Sequence, residues 1–146
     1  MKQMLVAGLF LSALAAPVAA YAADKSPEFD PDILLVRKME NCAGLMAVLS
    51  DNNRAKGNTE VADTAALSSG QYTTAARYYA GAKAVDRVDR NVATAKEKLA
   101  YLYANGGDAA LADDIRGCGS EEMATKGQAA LDAQKKADEA AANKGK

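Results

Sequence analysis

The side chains of this 146-residue chain that could do chemistry are two cysteines, several close pairs of carboxylates and five tyrosines beyond residue 70. Cys42 and Cys118 can form a disulfide. Neither belongs to a Cys-x-x-Cys pair, and the chain has no histidine, so nothing in the sequence is built to activate a thiol. The same lack of histidine removes Ser-His and Cys-His nucleophiles, imidazole metal ligands and an imidazole proton shuttle. It also removes both forms of haem attachment that need one. No glycine-rich phosphate loop and no EF-hand ligand series occurs.

The carboxylate pairs have simpler explanations than catalysis. Asp30-Pro31-Asp32 fits the start of a helix, with Asp30 as cap, Pro31 at the first helical position and Asp32 on the positive end of the dipole. Adjacent residues on a helix point about 100° apart, so Asp113-Asp114 and Glu121-Glu122 read as surface charge. A hydrolase whose carboxylates meet only in space is the one catalytic reading left open. The sequence implies no cofactor and no metal, and points away from an enzyme.

The tyrosines allow two readings. Tyr72, Tyr78, Tyr79, Tyr101 and Tyr103 can fill a core made thin by alanine, or they can present an amphipathic patch to a partner. Either way, helices must carry them. Aromatic residues make up only 5% of the chain and tryptophan is absent, so the core falls to Ala, Leu, Val, Met and Tyr. That palette suits closely packed helices better than a sheet sandwich.

The N-terminus gives the context. Lys2, the apolar run from Met4 to Leu14 and Ala20-Tyr21-Ala22 form the three parts of a secretory signal, with cleavage expected after Ala22. The apolar run is shorter than the ~20 residues of a membrane span. Cleavage would leave 124 residues carrying 17 basic and 19 acidic side chains. That near balance offers no footprint for nucleic acid, and stable membrane insertion is not expected after cleavage. Two cysteines in an oxidising compartment predict a Cys42–Cys118 disulfide. Closing a loop of that length stabilises a fold by about 4 kcal/mol in the chain-entropy model.

The sequence predicts a small all-α antiparallel bundle of about four helices over residues 30–119, after a polar leader at 23–29. The first helix carries Leu35, Met39, Cys42, Met46 and Leu49 on one stripe and stops near Asp51-Asn52-Asn53. A weaker pattern follows from Thr59, with Ser68-Ser69-Gly70 a candidate break. Val88, Val92, Ala95, Leu99 and Leu102 form the stripe of the next helix, which Asn105-Gly106-Gly107 ends. Asp108 caps a short helix whose face holds Leu111, Ile115 and Cys118. From Ser120 the composition turns to Ala, Lys and Glu, a polar tail that frays by about Ala140 and has only Met123 and Leu131 to anchor it.

Three function classes follow. The favoured one is a periplasmic or secreted binding or accessory protein of the cell envelope. Its partner would be another envelope protein, and its surface would draw on Tyr72, Tyr78, Tyr79, Tyr101, Tyr103, Met123 and Leu131. The second is a small-ligand carrier with a pocket among Tyr72, Tyr79, Leu99 and Leu102. The third is the carboxylate hydrolase.

Overall fold

The computed structural model describes residues 33–144, and every element among them is helical. In chain order these are α1 (Ile33–Ala55), α2 (Thr59–Ala80), α3 (Val85–Ala110), α4 (Ala112–Cys118) and α5 (Glu121–Lys144), with a 3₁₀ turn at Ala82–Ala84 ahead of α3. The small all-α bundle is as the sequence predicts, with five helices where about four were expected. The signal segment, the leader and the Asp30–Asp32 cap lie outside the described residues.

α1 is the axis of the bundle and packs against α2, α3 and α4. Leu35, Met39 and Cys42 are buried on its expected stripe, but so are Val36, Ala43, Gly44, Leu45 and Val48 beside it. Met46 and Leu49 are only half-buried. A helix covered on several sides buries residues around its girth, so a single seam understates it. Gly44 marks the closest approach: a Cβ there would lie 2.7 Å from the Lys96 backbone nitrogen and 2.8 Å from the Ala95 Cβ of α3. Only glycine lets the two backbones meet at that distance.

The ends of α1 and α2 are set by glycines with positive φ. α1 runs through Asp51, Asn52 and Asn53, past the expected stop, because Asn53 turns its amide back onto the Leu49 carbonyl at 2.8 Å. Its last helical residue is Ala55, and Gly57, with φ of 80°, turns the chain away. There the Asn58 N–H reaches the Asn53 carbonyl at 2.8 Å and the Gly57 N–H reaches the Arg54 carbonyl at 3.1 Å, the paired bonds of a Schellman ending. α2 is one unbroken helix across Ser68-Ser69-Gly70. Ser68 donates to the Thr64 carbonyl within its own helix, and Ser69 donates across to the Ala43 carbonyl of α1 at 2.8 Å. Ser69 therefore ties α2 to α1, and Ser68 satisfies its hydroxyl within the helix without interrupting it. The next bend falls at Gly81, with φ of 80°.

Along α3, Val88 and Leu99 are buried, and Val92 and Leu102 pack against the core. A sharp kink at Gly107 (φ 61°, ψ −152°) separates this helix from the segment leading to α4. Leu111 stands before α4 in a non-helical conformation and is buried, whereas Ile115 is exposed. The expected shared face of Leu111, Ile115 and Cys118 is thus broken, because Leu111 is outside the helical phase that Ile115 and Cys118 obey.

The core does not stop at Gly119. α5 is helical to Lys144 and lies against α2, with Met123 and Ala130 fully enclosed in the same apolar cluster as Leu45, Leu99 and Leu111. The segment expected as a protruding tail is in its first half part of the bundle. Beyond Ala133 its described side chains are exposed. Cys42 and Cys118 form a disulfide with Cα atoms 5.5 Å apart, which joins the middle of α1 to the end of α4 across 76 residues.

Candidate functional site

The tyrosines of α2 are positioned by what their hydroxyls reach. Tyr72 Oη donates to the Cys118 carbonyl at 2.7 Å, and Tyr79 Oη donates to the Lys126 carbonyl at 3.1 Å. These bonds tie α2 to the end of α4 and to α5. Desolvation pushes both phenols above their ordinary pKa, with Tyr78 adding to the effect at Tyr79. Tyr78 stacks edge-on against Tyr79, with ring centres 5.1 Å apart, and leaves part of its ring in solvent. Tyr103 accepts a hydrogen bond from Lys56 Nζ at 2.9 Å, which is the main cause of the raised Lys56 pKa. The same ammonium lies 5.6 Å from the Tyr103 ring centre. Tyr101 is 71% exposed. The five rings thus serve different ends, and Tyr72 and Tyr79 are largely structural.

Tyr72 does meet two other candidate residues. With Met123 and Leu131 it lines a groove of about 240 Å³ between α2 and α5, whose polar margin includes Ser68, Gln71 and Gln128. Met123 forms part of the groove wall while being itself fully buried, so it is core more than contact surface. Ser68 also belongs to a second groove, of about 520 Å³, between α1 and α2, lined by Met46, Leu49, Val61 and Ala65. The two grooves therefore meet along α2. Val61 and Leu67 on this helix are more than half exposed.

A third groove, of about 380 Å³, opens over the disulfide. Asp113, Asp114 and Glu122 line it together with Lys38 and Asn41, so three carboxylates do share one cleft. Each has a partner: Asp113 pairs with Arg116, Asp114 accepts from the Asn41 amide at 2.8 Å, and Glu122 pairs with Lys38 at 3.1 Å. Among the described residues no three acidic or cysteine side chains converge closely enough to hold a metal ion. Of the residues expected to line a carrier pocket, Leu99 lies within the apolar core, and Tyr72, Tyr79 and Leu102 pack against it.

One polar feature is not anticipated from sequence. Glu40 of α1 is buried, and both its carboxylate oxygens accept from the single Nδ2 of Asn91 on α3, at 3.0 Å each. Its position follows from a second stripe on α1, Val36-Glu40-Ala43, which runs beside the one that carries Cys42 and faces α3 where Gly44 allows close approach. An acidic residue inside an otherwise apolar stripe is the available signal.

No protein-family model matches the chain, and no curated protein or solved structure is significantly similar to it.

Proposed function

We propose that this chain is an exported, non-enzymatic accessory protein that docks on another protein of the cell envelope through the long face of α2. The observation that carries this reading is the pair of grooves meeting at Ser68, bordered by exposed Val61 and by Leu131. Together the grooves give α2 a continuous furrow with apolar walls and a polar margin, a shape into which a side chain or helix of a partner can be laid. Export is supported by the signal-like first 22 residues and by the disulfide, since such bonds persist in oxidising compartments. Among the described residues no helix is long and apolar enough to cross a membrane.

The test is cross-linking capture from envelope extract with the unaltered protein and with Val61→Glu and Leu131→Glu. Both substitutions are at positions that are not fully buried, so both variants should fold. Removing α5 would be a poor substitute, because it would strip Met123 from the core. A partner that both variants lose, and that an exposed control such as Lys98→Glu retains, would support the reading. Capture unaffected by either variant would exclude the α2 face.

A further inference from the structure

The groove between the first two turns of α1 and of α3 carries charge of both signs. Ile33, Val36, Arg37 and Glu40 line it from one face of α1, and Arg87 and Asn91 line it from α3, around a space of about 260 Å³. The floor is an acceptor surface. Glu40 is 4% exposed, and its two oxygens share one amide nitrogen. A carboxylate can accept about four hydrogen bonds, so capacity remains for further donors. Asn91 also lines the groove, and its carboxamide oxygen is a further acceptor. The rim is a donor surface. Arg37 and Arg87 are both exposed, and among the described residues neither has an ion-pair or hydrogen-bond partner.

This layering selects against simple ions. A lone cation entering the groove must pass two guanidiniums, and a lone anion held by them lies over a carboxylate. A molecule carrying an ammonium and a carboxylate on one carbon satisfies both layers, and charge-assisted bonds of this kind are the strong ones. Ile33 and Val36 add a short aliphatic wall. We propose that the groove binds a free α-amino acid with a small aliphatic side chain. The ammonium donates to Glu40 and the Asn91 oxygen, the carboxylate accepts from Arg37 and Arg87, and the side chain lies against Ile33 and Val36. The site is separate from the α2 face and needs no protein partner.

Titration calorimetry on the purified, oxidised protein tests this, with L-valine as ligand and isobutylamine and isovalerate as its two halves. Valine should bind saturably and at least about tenfold more tightly than either half. Glu40→Gln and Arg87→Gln should each weaken valine by about tenfold or more, the loss expected for one charge-assisted contact. Arg87 is exposed, so its variant decides the matter even if Glu40→Gln folds poorly. Absence of valine binding would reduce Glu40–Asn91 to a tie between helices and overturn the proposal. Isovalerate binding as tightly as valine, or an Arg87→Gln variant that binds valine normally, would overturn it as well.

Discussion

At the scale of single residues, the most constrained position is Gly44. Its α-carbon faces the α3 backbone at Ala95 and Lys96, and backbone atoms cannot swing aside as a flexible side chain can. Adding one methyl group must therefore push α1 and α3 apart along the crossing that also holds Glu40 against Asn91. Gly44→Ala should lower stability by about 1–3 kcal/mol despite the better helix propensity of alanine. Urea unfolding followed by circular dichroism measures this, and an unchanged midpoint would mean that the crossing is looser than the geometry implies. Glycines with open space around them, such as Gly70 and Gly127, carry no such constraint.

At the scale of elements, α2 is the helix against which α5 packs, and two of its phenol hydroxyls reach the backbone of the C-terminal part of the chain. The Tyr72 bond to the Cys118 carbonyl links it to α4. Tyr72→Phe should cost about 0.5–1.5 kcal/mol. It should also alter the alkaline limb of the stability curve. The phenol's ordinary pKa is 10.0, and desolvation raises it in the folded protein. As pH climbs past that ordinary value the unfolded chain releases this proton first, so the folded state holds more protons and stability falls as pH rises through the folded value. Removing the hydroxyl removes that share of the fall, which thermal melts from neutral pH to the alkaline limit of reversibility would detect as a shallower slope.

The elements also show where sequence is legible. The stripes of α1 and α3 are readable because Leu, Met and Val recur at helical spacing. The Cys42–Cys118 bridge is readable because only one pairing exists within the chain. The placement of α5 is not. Its anchor is Met123 together with Ala130, a residue whose burial depends on close approach to α2 and not on its own hydrophobicity. The end of α1 is misplaced by sequence because the polar run Asp51-Asn52-Asn53 does not reveal its side-chain geometry. A side chain that breaks a helix looks the same there as one, like Asn53, that bonds back onto it. Glu40 stands out only as an acid inside an apolar stripe, and nothing local to it announces that Asn91, 51 residues away, will be its partner.

For the molecule as a whole, the disulfide is the longest-range constraint, and both its sulfur-bearing residues are buried. Replacing Cys42 and Cys118 together by serine should reduce stability by about 4 kcal/mol in the chain-entropy model. That is a large share of the ~5–15 kcal/mol typical of a folded domain. A melt of the double variant that matched the oxidised protein would show the bridge to be energetically idle. The bond also closes residues 42–118 into a covalent ring. α2, α3 and α4 lie wholly on that ring, as do the turns at Gly57 and Gly81, while α5 is the one helix described that lies wholly off it. A single cut at either turn would open the ring without dividing the molecule, and the two pieces would part only under reduction. A cut just beyond Cys118 would instead release chain outright, so among the described helices α5 alone can be shed whole by one proteolytic event.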